Sequence, residues 1–397
     1  MFPSEAWRRE PNSLLCTCKA QPSAVLLGGL ESTSWPPRRR AHSSSLCCGR
    51  LRLVRIKGVT YDVGRVLGEN WRPVFEPEVV RRELTIIRDD LHCNAVRICG
   101  LDISRLENAA GLALELDLDV WLSPELWNKS PERTLSYTVD AARMAEDLLR
   151  RWPGKVVFCI GSELTLFMRG ILPGRSLVMR VRRMRKRPSR AAGSPALTDY
   201  LTRATDEVRH VFSGPVTYAS LVWESVDWSR FDFVGVDHYR DSRIKDRYVD
   251  MLQPSLDTGK PVVVTEFGMR TYLGADTSGT LGFGIVHIPS MVLHSLPIVG
   301  RFVQPRLKGT PVRDEDLQAR EIVETLKILD VAGVTGAFVH TFVDYQAPTN
   351  PVPKYDLDIS SMSLVKLLKN GRSAAYPDLP WEPKQAFRAV ADYYAER

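Results

Sequence analysis

An alternation repeated eight times along residues 55–397 constrains this chain more than any other feature. Short apolar, β-branched runs end in polar or aromatic residues: RIKGVTYDV (55–63), NAVRICG (94–100), DVWLSPEL (119–126), VVFCIGSEL (156–164), PVTYASLVW (215–223), FVGVDHYR (233–240), PVVVTEFG (261–268) and GAFVHTFVDY (336–345). Most are followed by an amphipathic helical pattern, at 77–91, 104–116, 138–152, 317–333 and 382–396. Strands that are apolar along their whole length need cover on both faces, which a parallel sheet with crossover helices supplies. Eight such units predict an α/β protein: a single-domain (β/α)8 TIM barrel over 55–397. The competing doubly wound sheet calls for a glycine-rich phosphate loop after its first strand. Here that loop reads YDVGRVLGENW, and Gly64 and Gly68 do not make GxGxxG.

The formal charge of +7 hints at nucleic acid or an anionic surface, but its placement weakens the hint. Residues 1–57 hold ten Lys/Arg against three acids, and 58–397 hold 44 of each, so the body of the protein is neutral. The N-terminal stretch is rich in Pro, Ser and Arg and lacks periodicity, so 1–54 is expected to be a disordered extension or foreign to the fold. Four of the seven cysteines lie there, and CxC at Cys16 and Cys18 with CC at Cys47 and Cys48 are poor matches to zinc spacing. Cys93, Cys99 and Cys159 sit in apolar strand-like runs as reduced, packed thiols. With no secretory pattern and no apolar run of about 20 residues, the expected location is cytoplasmic and no membrane span is expected.

Barrel active sites are built at the C-terminal ends of the strands. The residues there are Tyr61 and Asp62; Arg97; Glu125 and Trp127; Ser162 and Glu163; Trp223; Asp237, His238 and Tyr239; Glu266; and His340, Asp344 and Tyr345. Glu163 after the fourth run and Glu266 after the seventh occupy matching positions on opposite sides of the mouth. A carboxylate at the end of VVVTEFG costs several kcal/mol unless something uses it.

With IGSEL (160–164), VTEFG (264–268), Arg97 in VRI and Tyr239 in DHY, the chain from about 55 to 397 resembles the retaining glycoside hydrolases of clan A. The stretches YDLDISSMSLVK (355–366) and WEPKQAF (381–387) are similar to that clan's segment between strand eight and the last helix. IGSEL is similar to the strand-four motif of a β-mannanase family, and overall the chain resembles uncharacterised proteins, some bearing an abortive-infection label. The resemblance implies a (β/α)8 fold, with Glu163 as acid/base and Glu266 as nucleophile. It also implies a carbohydrate substrate and no cofactor or metal. In such an enzyme one carboxyl stays protonated for the leaving oxygen while the other attacks as an anion, the pair about 5 to 5.5 Å apart. Arg97 and Tyr239 are positioned to hold the anion, and apolar surroundings with a nearby negative charge would keep Glu163 protonated.

Each residue also has a structural reading. A Glu at a strand end often neighbours a helix cap or pairs with a base; Arg97 can pair with an acid such as Asp62; His238 and Tyr239 can be satisfied core groups. Trp71, Trp127 and Trp223 are candidates for stacking on sugar rings, although most tryptophans pack in cores. Two positions depart from the clan. Ser162 stands where an Asn usually meets a sugar 2-hydroxyl, and HTFVDY replaces a strand-eight Trp, leaving Phe342 or Tyr345 as substitutes. The long stretches 268–316 and 345–381 overhang the mouth, which favours a pocket and a small or terminal sugar.

The run RSLVMRVRRMRKRPSR (175–190) holds eight basic residues and no acid. It is either a solvated helix or a footprint for an anionic partner. Three function classes follow: a retaining β-glycosidase, a barrel that binds carbohydrate without cleaving it, and, less favoured, a nucleic-acid-associated or phage-defence factor using 175–190.

Overall fold

The computed structural model describes residues 54–64, 72–186, 194–277, 284–294, 296 and 298–397. Contacts divide the chain into Met1–Gly49 and Arg50–Arg397, and the barrel lies in the second unit. The expectation of disorder over 1–54 falls outside the described residues except for Val54, which is buried beside the first strand.

Eight parallel strands close on themselves in chain order: β1 Ile56–Asp62, β2 Ala95–Gly100, β3 Asp119–Pro124, β4 Val156–Ser162, β5 Val216–Leu221, β6 Val234–Asp237, β7 Val262–Phe267 and β8 Gly336–Val339. The seam is closed by β1 on β8, with Ile56 opposite Gly336 and Val59 opposite Val339. All eight expected runs are strands. The eighth is shorter than GAFVHTFVDY suggests, because pairing ends at Val339 and the chain turns out into the mouth.

Side chains alternate across each strand. Along β2, Val96 and Ile98 face the helices while Ala95 and Arg97 face inward; along β3, Val120 and Leu122 face out while Trp121 and Ser123 face in. The lower interior is filled by Ala95, Trp121, Val263 and Phe338. A Cβ on Gly58 would lie 2.3 Å from the Phe338 ring, so only glycine lets that ring fill the barrel. One layer higher, the inward residues are Arg97, Ser123, Asp237 and Thr265, all buried. The interior therefore changes from apolar to polar along the strands, and the polar end carries the candidate site.

The covering helices include α1 Pro77–Asp89, α2 Ile103–Glu115, α3 Pro131–Arg151, the short α4 Leu164–Phe167, α5 Leu177–Lys186, α6 Pro195–Arg209, α7 Tyr248–Leu256, α8 Ile288–His294, α9 Glu315–Ala332 and α10 Gln385–Ala395. Local chemistry sets their starts: Asp102, Ser130 and Asp314 accept the N–H of Arg105, Arg133 and Leu317. Helix α3 begins at Pro131, about two turns before the expected 138, because Ser130 caps it and Pro131 is tolerated in its first turn. Among the described residues no helix is long and apolar enough to cross a membrane. The side chains of Cys93, Cys99 and Cys159 are buried, with the Cys99 and Cys159 thiols donating to the carbonyls of Tyr61 and Gly161.

Candidate active site

Glu266 closes β7 and is 6 % exposed. Its Oε1 accepts Arg97 Nη1 at 2.5 Å, and its Oε2 accepts the Tyr239 hydroxyl at 2.7 Å, with His340 Nδ1 3.6 Å away. Arg97 is fully buried inside the barrel; its other nitrogen donates to Ser123 Oγ at 3.0 Å and lies 3.6 Å from Glu125 Oε1. The acid that pairs with Arg97 is therefore Glu266, not Asp62. Asp62 instead accepts the N–H of Gly64 and lines a small open cleft with Arg72, His340, Asp344 and Tyr345. Burial raises the Tyr239 pKa well above the usual phenol range, reinforced by Glu266 and Asp237, so its hydroxyl stays a donor.

Glu163 differs in almost every respect. It follows the last residue of β4 with φ 46° and ψ 42°, a left-handed conformation that costs a non-glycine residue about 1 kcal/mol or more. Its surroundings hold the turn in place. The Glu163 N–H donates to the Ala219 carbonyl, the Leu164 N–H to the Tyr218 hydroxyl at 2.9 Å, and the Thr165 N–H to Glu224 Oε1 at 3.2 Å. Glu224 also accepts the Tyr218 hydroxyl and the Leu221 N–H, both at 2.9 Å. The Glu163 carboxyl is half-buried and receives no hydrogen bond among the described residues. Burial drives its pKa well above the usual carboxylate range, and the charges of Asp237, Glu266, Glu224 and Glu125 push it further.

Asp237 sits between the two. Its Oδ1 accepts Thr265 Oγ1 at 2.6 Å and its Oδ2 accepts Ser162 Oγ at 3.1 Å. Burial and the Glu266 charge raise its pKa to about 8, against the lowering influence of Arg97 and the two hydroxyls. The Ser162 hydroxyl is thereby committed to Asp237. His238 is 1 % exposed, stacked on Tyr248 at 3.9 Å with its Nε2 2.9 Å from the Tyr248 carbonyl. Burial lowers its pKa to about 4, so it stays neutral. Of the two readings of His238, substrate contact and a satisfied core group, the ring's burial and its stacking between β6 and α7 favour the second.

Trp127 is half-buried and stacked on Phe167 at 4.1 Å, where the loop after β3 meets α4. Trp223 packs against the cluster of Leu166 and Leu172 with α5. Trp71 lies outside the described residues. Phe342 is fully buried among Tyr61, Trp381 and Phe387. Tyr345 donates to Glu83 at 2.6 Å. Phe342 is therefore packed away from the mouth, while Tyr345 lines the cleft shared with Asp62 and His340; His340 itself lies beside Glu266, edge-on to Tyr239 with ring centroids 6.4 Å apart.

The sequence reading assigned no role to Asp237, Glu224 or His340. Asp237 and His340 carry a signal, since both end a strand. Glu224 carries none, because its importance comes from a backward reach to the turn after β4. Among the described residues no group of three or more His, Cys, Asp or Glu is placed to hold a metal ion.

The closed ring of eight parallel strands with covering helices is a (β/α)8 barrel, with its buried polar groups gathered at the C-terminal ends of the strands. Among solved structures the chain is similar to a GH113 beta-1,4-mannanase, with 16 % identity and a TM-score of 0.52 over 87 % of this chain and 100 % of that one. It is similar to the beta-D-glucuronidase of Dictyoglomus thermophilum, with 14 % identity and a TM-score of 0.51 over 87 % of this chain and 51 % of that one. It is also similar to the beta-glucuronidase of Parabacteroides merdae, with 16 % identity and a TM-score of 0.50 over 87 % of this chain and 37 % of that one. The chain thus spans the whole of the mannanase, about half of the first glucuronidase and over a third of the second. At these identities the likeness is one of fold. No protein-family profile and no curated protein matches the sequence.

Proposed function

We propose that this protein is a retaining β-glycosidase in which Glu266 is the nucleophile and Glu163 the acid/base, acting on a carbohydrate substrate. The observation that carries the reading is the opposite treatment of two carboxyls at one mouth. Glu266 meets an arginine and a phenol, both of which complement an anion, while Glu163 has no donor among the described residues and lies buried among carboxylates, which favours its protonated form. The Glu266 carboxylate attacks the anomeric carbon as the Glu163 proton passes to the departing oxygen. Charge on Glu266 then disappears into the ester, the Glu163 pKa falls, and Glu163 takes a proton from the incoming water. Tyr239 and Arg97 hold the nucleophile's oxygens through both steps.

Azide separates the two roles. With Glu266→Ala, azide occupies the vacated space, attacks from the nucleophile's face and gives a glycosyl azide of inverted configuration. With Glu163→Ala, azide intercepts the glycosyl-enzyme from the opposite face and gives the retained anomer. Turnover of aryl β-glycosides unchanged by either substitution would reject the proposal.

A further inference from the structure

We infer that the mouth face of the barrel docks on an anionic lipid bilayer, through two loops that follow the C-terminal ends of β4 and β7. The inference does not depend on the catalytic reading.

The first loop, 164–198, holds nine Lys/Arg and no acid; the second, 277–313, holds four and no acid. The rest of 58–397 therefore carries 31 basic against 44 acidic residues, so a neutral barrel is strongly polarised. Both loops leave the ends of strands that carry Glu163 and Glu266, which places them on one face. In the first, α5 turns Leu177, Val181 and Met184 onto Leu166 and Leu172. Arg180 is fully buried and structural, donating to the carbonyls of Leu166 and Gly174 and to Asn128 Oδ1. What remains outward is Val178 and Met179, 60 % and 45 % exposed, with exposed Arg182 and Arg183 one turn on. In the second, Phe302 and Ile298 are 86 % and 77 % exposed beside exposed Arg301.

Large aliphatic and aromatic side chains held in water beside unpaired cations are what a bilayer interface accommodates: the apolar groups enter the headgroup–acyl boundary and the cations meet lipid phosphates. Nucleic acid would use the arginines but leave the isoleucine and valine without a partner. A second copy meeting this face would set basic against basic.

The test is flotation of the full chain with vesicles of phosphatidylcholine alone and of phosphatidylcholine mixed with phosphatidylglycerol, at about 0.1 M and 0.5 M salt. Binding is expected only to the mixed vesicles and is expected to weaken with salt. Arg182→Glu with Arg183→Glu should cut partitioning more than tenfold, from about fivefold per charge removed. Ile298→Glu with Phe302→Glu should abolish it, both pairs keeping the wild-type melting curve. No binding to the mixed vesicles would overturn the inference. So would binding that survives both variants, which would belong to the basic residues within 1–57, or a stable dimer that Ile298→Glu with Phe302→Glu dissolves.

Discussion

The end of β4 and the end of β7 carry the same side chain and give it opposite conditions. At β7 the backbone stays extended, and Glu266 is clamped by Arg97 from β2 and Tyr239 from beyond β6, which makes the position rigid and complementary to charge. At β4 the backbone turns left-handed at Glu163, the carboxyl is offered no donor among the described residues, and the order lies next to it in Tyr218 and Glu224. The contrast shows that a glutamate's chemistry is set by what its neighbours offer: donors favour the anion, while burial beside other carboxylates favours the acid.

Removing either carboxyl tests the contrast most severely. Glu266→Ala should cost on the order of 10⁵-fold or more in kcat for aryl β-glycosides, as losses of a nucleophile do. Glu163→Ala should cost about 10²- to 10⁴-fold, most for poor leaving groups that need the proton. Equal losses across leaving groups would erase the difference between the two positions.

Arg97→Met breaks the clamp from the other side. Removing one member of a buried ion pair leaves Glu266 uncompensated, at a cost of about 3–5 kcal/mol in chemical denaturation. A variant as stable as the wild type would mean that the pair contributes little to folding.

Tyr239→Phe removes a single donor to Glu266, the proposed nucleophile. A hydrogen bond to a charged group has a strength that corresponds to a loss of roughly 10- to 100-fold in kcat/KM, with little change in melting temperature. An unchanged rate would take Tyr239 out of the site.

The smallest effect sharpens the β4 side. Glu163 is held protonated, so activity that needs its proton is present below its raised pKa and lost as pH rises through it. Glu224→Gln removes one of the charges that raise it, so the alkaline limb of kcat/KM should move to lower pH. A fall in rate with the limb unmoved would reduce Glu224 to a support for the turn.

Much of this was legible before any coordinates. The eight strands were readable because a buried parallel strand is apolar throughout, Glu163, Glu266 and Tyr239 because each lies at the end of such a run, and Arg97 because it is a charge within an apolar strand. What escaped the sequence depends on three-dimensional choices that pattern does not encode. His238 and Tyr239 are adjacent, yet one packs on Tyr248 and the other reaches Glu266, since neighbouring side chains at a strand end point to opposite sides. Phe342 was a candidate floor for the site, but the chain enters the core there and His340 is left at the mouth. Arg180 looked like one member of a solvated run and is instead the buried pin of α5. Helices α6 and α7 were not among the helical patterns read from the sequence, and α7 carries Pro254 inside it.

The central claim is that Glu266, and no other carboxylate at this mouth, becomes bonded to sugar. Incubation with a panel of aryl 2-deoxy-2-fluoro-β-glycosides of gluco, manno and glucurono configuration, followed by peptide mapping, tests it directly. A single glycosyl adduct is expected on the peptide containing VTEFG, located at Glu266 and absent in Glu266→Gln. An adduct on Glu163 or Asp237, or no adduct with any member of the panel, would contradict it.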